Sequence, residues 1–367
     1  MAANRIPQFS PSLGFKELLA VAGCLRRNWI TEGPASREFE DRLLSLTGSP
    51  YGVFAPNGTL GLYLALVALD IGPGDEVIVP DFSFFATASA VYMTGATPVF
   101  CDVEDNLHLD LRHAQELISP RVKAIMPAHI YGAAVDMIAV LDFAAKHGIK
   151  VVEDAAQGIG VTWDSIHVGT FGDIGVFSFF ADKTITTAEG AFLVTNSEEV
   201  YTRLRYLRNQ GRIDRGSFIH PQIGFNFRMT DLQCSIGTVQ IKKLEKIKKE
   251  KTRILESYSK NLGNRVEIYR PEEPSKSNHV PFRVSINVGS YRDRVLSGLA
   301  ADGIEPRTFF APLHSQPAWA GTSVLQNLDR QWNSEKHFQQ GVCLPSWVGL
   351  SEKSIKQVSN SVLKYVQ

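Results

Sequence analysis

Three short stretches carry residue types that can do chemistry. Asn57-Gly58-Thr59 stands directly before an apolar helical run, Leu60–Leu69. A helix start of this kind offers unpaired backbone N–H groups, a hydroxyl and the positive end of the helix dipole, a combination that binds phosphate. Thr59 can equally serve as a plain N-cap. The second stretch, Val151-Val152-Glu153-Asp154-Ala155-Ala156-Gln157, is an apolar strand ending in acids. It puts Asp154 at the carboxyl edge of a sheet, where ligands of open α/β sheets bind. An aspartate there can hold a pyridinium nitrogen protonated and turn that ring into an electron sink; it can also ligate a metal or cap a loop. The third, Phe177-Ser178-Phe179-Phe180-Ala181-Asp182-Lys183-Thr184, sets a lysine just past an apolar strand and among aromatics. Such surroundings lower an amine's pKa, and the neutral amine is the form that makes a Schiff base. An exposed loop lysine is the ordinary alternative.

The elements that must position these groups alternate. Candidate strands are 77–79, 97–100, 124–126, 150–152, 175–179 and 191–194, and helical patterns cover 61–69, 85–93 and 138–147. Strand–helix alternation implies a mostly parallel sheet flanked by helices, and continuous apolar strands imply that both its faces are buried. After about residue 230 the texture changes. Residues 241–250 are rich in charge with apolar positions at helical spacing, which reads as a long connecting helix with one solvated face rather than a basic interaction patch. Segments 281–286 and 293–300 suggest a smaller α+β unit. The expected division is 1–240, a large unit with the N-terminal segment, and 241–367, a small C-terminal one.

A chain of 367 residues with 44% hydrophobic and 21% charged residues supports about two ordinary globular domains. Lys plus Arg and Asp plus Glu each number 38, so the chain lacks the basic excess of a nucleic-acid binder. No apolar run suits a signal peptide or a membrane span. Cys24, Cys101, Cys234 and Cys343 lie far apart without a CxxC, which argues against disulfides and zinc and for a reduced, cytoplasmic setting. No metal site is expected. The P-loop, HExxH and GxSxG patterns are missing.

Phosphate cup, strand-end aspartate and lysine, in that order on an alternating chain, form the layout of the fold-type I pyridoxal-phosphate enzymes. More specifically, the sequence resembles the DegT/DnrJ/EryC1/StrS family of sugar aminotransferases over nearly its whole length. The resemblance rests on Trp29-Ile30-Thr31-Glu32-Gly33-Pro34, Asn57-Gly58-Thr59, Gly72-Pro73-Gly74-Asp75-Glu76-Val77, Gly95-Ala96-Thr97-Pro98-Val99-Phe100, His129-Ile130-Tyr131-Gly132, Glu153-Asp154-Ala155-Ala156-Gln157, Phe171-Gly172-Asp173-Ile174 and Gly224-Phe225-Asn226-Phe227-Arg228-Met229. The stretch 179–190 looks most like a branch that aminates C4 of a GDP-linked hexose.

The resemblance implies an α/β fold of fold type I, with a mostly parallel central sheet and a smaller C-terminal α+β domain. It implies pyridoxal 5'-phosphate carried on Lys183, with Asp154 at the ring nitrogen and Gln157 near the ring hydroxyl. Gly58, Thr59 and Ser178 match the phosphate cup, and Phe84 the aromatic stacked on the ring. Asn226 matches a residue given to the neighbouring subunit, hence a homodimer with shared active sites. Arg307, His314 and Glu189 match positions near the sugar. Arg228 matches a position that meets either the nucleotide phosphates or an acid. His129 and Tyr131 stay open between structure and function. The implied reaction moves an amino group from L-glutamate to a nucleotide-linked 4-keto-6-deoxy sugar, for a surface polysaccharide; 3-amination of a dTDP- or UDP-linked sugar is the alternative.

Two departures stand out. The family's usual Gly-Glu-Gly-Gly reads Ala188-Glu189-Gly190-Ala191, and alanine adopts positive φ less readily than glycine. Asp182 precedes the lysine, and its carboxylate is expected to favour the protonated amine. A pyridoxal-dependent sugar dehydratase or deaminase, and a non-catalytic relative, are the competing readings.

Overall fold

The computed structural model describes residues 5–212, 216, 218–271, 275–322, 324 and 330–367. Seven strands form the central sheet: β1 (Tyr51–Ala55), β2 (Glu76–Pro80), β3 (Thr97–Cys101), β4 (Val122–Ile125), β5 (Lys150–Asp154), β6 (Ile174–Ser178) and β7 (Ala191–Thr195). Their order across the sheet is β1-β7-β6-β5-β4-β2-β3. From β3 to β6 all neighbours are parallel. β7 runs antiparallel to both β6 and β1. Every residue of β2, β6 and β7 is buried, which explains their unbroken apolar sequence. The sequence pattern had not marked β1. Its Gly52 lies under the Phe192 ring, where an added Cβ would come within 2.2 Å; glycine in a strand marks such a close approach.

The helices Gly58–Ala68, Ala86–Met93 and Met137–His147 fall where helical patterns were expected. Asn57 caps the first through Leu60 N–H, and Asp136 caps the third through Ala139 N–H. The expected connecting helix runs Leu244–Leu262. Leu244 and Ile247 pack in the core that holds Phe39, Phe54 and Phe192. Ile254, Leu255 and Tyr258 pack in a second core with Val284, Ile286 and Val342. The passage from one core to the other thus lies inside this helix. Lys242 and Lys243 just before it pair with Glu38 and Glu17, and Lys248 within it with Glu245, so the charged face is a network of ion pairs.

The second core covers a four-stranded antiparallel sheet, ordered Glu267–Ile268, Val284–Asn287, Gly341–Leu344, Arg307–Thr308. The N-terminal segment joins this unit: Ile6 bridges Ile304, and Gln8 Nε2 donates to the Cys343 carbonyl at 2.8 Å. The two units meet at Gly132. Val280 N–H donates to the Gly132 carbonyl and Phe282 N–H to the Tyr131 carbonyl, both at 3.1 Å. Gly132 has φ +83°, and a Cβ there would fall 1.8 Å from the Val280 oxygen. Only glycine permits this contact, which carries Phe282 and Arg283 to the edge of the central sheet.

Candidate active site

The chain turns at the carboxyl edge of the sheet bring the three chemical stretches together. Asp154 ends β5 and Ser178 ends β6. The helix Gly58–Ala68 starts just past β1, beside Ser178: a Cβ on Gly58 would lie 3.2 Å from the Ser178 Cβ. In that helix's first turn, Asn57 takes the Leu60 N–H through Oδ1 and the Gly61 N–H through its carbonyl. Among the described residues the amides of Gly58 and Thr59 meet no acceptor, and they point out of a helix N-terminus next to a serine hydroxyl. That is a cradle for a phosphate.

Asp154 is buried and pre-set. Its Oδ2 accepts from Thr87 Oγ1 at 2.7 Å, and its Oδ1 from Ala156 N–H at 3.2 Å. Thr87 in turn meets Ser83 Oγ at 2.7 Å. Strand alternation separates the adjacent acids. Glu153 points the other way, accepting from Gly169 N–H at 2.7 Å and from Phe171 and Gly172 N–H at 2.8 Å, with His129 Nε2 at 3.1 Å. Glu153 and His129 are therefore scaffold. Gln157 Oε1 accepts the Tyr131 N–H at 2.8 Å, so its Nε2 is the end left to meet a ligand. The bond holds Tyr131 in the left-handed region at φ +52°, and the ring stacks on Phe310 with centroids 5.6 Å apart.

Lys183 lies part-buried in the connection from β6 to β7. Its Nζ stands 4.7 Å from the centre of the Phe282 ring. Burial lowers its pKa; Asp182 and Asp154 act in the opposite direction, and Arg283 adds to the lowering. As expected, the Asp182 carboxylate favours the protonated amine, but burial outweighs it and the net shift is the lowering expected of a lysine among aromatics. Asp182 is also engaged elsewhere, by Arg283 Nη2 at 2.5 Å and by Arg307 Nη1 at 3.7 Å.

The remaining expected residues divide. Phe84 is 58% exposed and meets Phe310 edge-on at 6.1 Å; the core phenylalanine of that loop is Phe82. Asn226 is exposed, with its backbone bridged to Asn209. Glu189 is exposed, and partial desolvation of its carboxylate raises its pKa. Ala188 has φ +70°, whereas Ala191 is an ordinary strand residue; of the two added methyl groups only the first carries backbone strain. His314 is not a surface loop histidine. It is 5% exposed, stacks on Trp332 at 4.4 Å, and both its nitrogens face carboxylates, Asp81 at 2.7 Å and Glu335 at 3.3 Å. Burial works against its charge, yet the two acids raise its pKa. Arg228 meets Glu32 of its own chain at 3.7 Å and Asn209 at 2.6 Å.

Sequence reading did not find Thr87, Arg283 or Lys251. Thr87 is 67 residues from Asp154, and Arg283 is 101 from Asp182, so no local spacing reveals them. Lys251 is buried, donating to the carbonyls of Phe282 at 3.1 Å and of Ser346, and desolvation lowers its pKa to about 7.

The uncommitted Gly58 and Thr59 amides, the acid of Asp154 and the lowered amine of Lys183 fit a phosphorylated pyridine aldehyde. The comparisons agree. The model of the DegT/DnrJ/EryC1/StrS aminotransferase family matches residues 11–363. The chain is 37% identical over 363 residues to the GDP-perosamine synthase of Caulobacter vibrioides, covering 96% of each chain. It is 39% identical over 291 residues to the UDP-N-acetyl-3-dehydro-alpha-D-glucosamine 3-aminotransferase of Acidithiobacillus ferrooxidans, covering 78% of each. The X-ray structure of DesV from S. venezuelae superposes with a TM-score of 0.91 at 29% identity, over 100% of this chain and 99% of that one. The chain belongs to the DegT/DnrJ/EryC1/StrS family and is a pyridoxal-phosphate-dependent nucleotide-sugar aminotransferase.

Proposed function

We propose that the enzyme transfers the amino group of L-glutamate to C4 of a GDP-linked 4-keto-6-deoxy hexose, in a pathway to a surface polysaccharide. The observation that carries the reading is the convergence of Lys183, Asp154 and the Gly58 helix start on one sheet edge. The GDP-perosamine synthases of Caulobacter vibrioides and Vibrio cholerae, at 37% and 34% identity, support the sugar and the carbon.

Bound pyridoxal phosphate supplies the electron sink that stabilises a carbanion at the amine-bearing carbon. The amides of Gly58 and Thr59 and the hydroxyl of Ser178 would hold its phosphate. Asp154, oriented by Thr87, would keep a proton on the ring nitrogen. Gln157 and Phe84 would help to hold the ring. Lys183 would hold the cofactor and, as general acid and base, would move the proton at the substrate carbon. Its lowered pKa suits both tasks. Arg307 and Glu189 border the sugar, while His314, held between Asp81 and Glu335, fixes the loop rather than touching the sugar.

The enzyme works as a homodimer in the cytoplasm, with Asn226 completing the partner's phosphate site. Exposed apolar side chains support the dimer, among them Phe218 (84% exposed) and Ile223 (88% exposed). The domain boundary lies within Leu244–Leu262.

The test is an absorbance spectrum of the purified protein with pyridoxal phosphate, before and after excess L-glutamate. A glutamate-dependent shift of the band, reversed by a GDP-linked 4-keto-6-deoxy hexose, is expected. Reversal only by a UDP-linked 3-keto sugar would favour the 3-amination represented by the Acidithiobacillus relative. A band that ignores glutamate would overturn the transaminase reading of this site.

A further inference from the structure

We propose that Arg283 is a positioning residue for Lys183: it pairs with Asp182 and opposes that carboxylate's hold on the lysine proton, so burial prevails in setting the amine's reactivity. The inference rests on Lys183 being the cofactor-bearing lysine. Asp182 is joined to Lys183 by one peptide bond, and its side chain is only 13% exposed. An unopposed carboxylate there would keep the amine protonated and unable to attack an aldehyde. Arg283 approaches from the small unit, its side chain 5% exposed, and binds Asp182 Oδ2 at 2.5 Å. Arg307 stands 3.7 Å from the same oxygen and is partly open to solvent, so Arg283 is the main counter-charge.

Its placement is fixed by the surrounding backbone. Phe282 N–H is tied to Tyr131, and the Phe282 carbonyl is held by Lys251. The Arg283 guanidinium and the Lys183 amine each stand 4.7 Å from the centre of the Phe282 ring. Lys183 therefore faces Asp182 on its own loop, Asp154 from β5 and Arg283 from the small unit. Arg307 acts through Asp182, and Lys251 acts through the Phe282 backbone. Asp182 and Arg283 push the amine in opposite directions.

The experiment follows the absorbance band formed when apoprotein takes up pyridoxal phosphate, across a pH series, and reads the pH midpoint of uptake. Lys183→Ala, with no band, is the control. Arg283→Met leaves Asp182 with only the more distant Arg307 and raises the midpoint by about one unit, roughly tenfold less neutral amine at a given pH. Asp182→Asn leaves Arg283 unopposed and lowers the midpoint. The double variant, with neither charge, returns close to the wild type. Arg283→Lys, which keeps the charge, also stays close to it. A role in folding alone would lower the amount of band without moving its midpoint in opposite directions. Should Arg283→Met fail to fold, Asp182→Asn and the double variant, which bury no unpaired carboxylate, decide the matter. Equal midpoints in all variants overturn the proposal. Absence of a band in the wild type itself overturns the assignment of Lys183, and the proposal with it.

Discussion

Replacing Glu153 by glutamine tests whether the residue beside the cofactor-facing acid is scaffold. The side chain is fully buried and bonded on both oxygens. Oε1 accepts two amides, from Phe171 and Gly172, at 2.8 Å. Oε2 accepts the Gly169 amide at 2.7 Å and faces His129 Nε2 at 3.1 Å. His129 Nδ1 accepts the Val135 amide, so Nε2 is the protonated nitrogen and also donates. Glutamine keeps one acceptor and turns the other into a donor. In either orientation, two of the four surrounding donors then face an NH2 group. Each buried donor left unpaired costs about 1–3 kcal/mol. For two such donors the substitution costs about 2–6 kcal/mol, with charge assistance also lost at the two remaining bonds, a large part of a typical stability of about 5–15 kcal/mol. Urea unfolding of the purified protein measures this directly. The folded fraction should still take up pyridoxal phosphate with the wild-type pH midpoint, because Asp154 and Lys183 are untouched. A loss under about 1 kcal/mol, or full stability with cofactor uptake abolished, would refute the assignment of Glu153 to the scaffold.

Ala188→Gly should stabilise the protein by about 0.5–1 kcal/mol, since relief of a left-handed alanine exceeds the added freedom of the unfolded chain; a lower unfolding midpoint would contradict the positive φ of Ala188. Gly132→Ala should cost about 3 kcal/mol from the forced contact with Val280 and unfavourable φ, read by the same urea titration. His314 contributes a pH-dependent part of the stability. An unfolded histidine titrates near 6.5, whereas folded His314 titrates higher. Its stabilisation is therefore complete below the unfolded value and is lost as pH rises through the folded one. The difference in unfolding midpoint between wild type and His314→Gln should accordingly shrink with rising pH; a constant difference would exclude a charged His314. Thr87→Val should lower kcat more than it raises KM, because it leaves the phosphate cradle intact but frees Asp154 to rotate; steady-state kinetics with glutamate measure the split.

What lies within one element or one turn was legible in the sequence by itself. The strand ending at Asp154 announces itself as an apolar run that stops in acids, and the helix after Asn57 by its cap and its apolar length. Together with the β6 turn that carries Lys183, these gave the sheet edge and the class of cofactor, while the family came from the resemblance of the longer motifs. Period and polarity are local properties, so they survive in the one-dimensional record. They did not show the side on which neighbours fall or which distant groups neutralise them. Glu153 and Asp154 look like a pair, yet the pleat sends one to the Gly169 turn and the other to the site. His314 looks like a loop histidine until Asp81 and Glu335 arrive from either side of it. Asp182 looks like a brake on Lys183 until Arg283, 101 residues on, meets it. Charge depends on distance in space and on burial rather than on spacing along the chain, so only the tertiary structure decided which of these groups act at the site and which hold it.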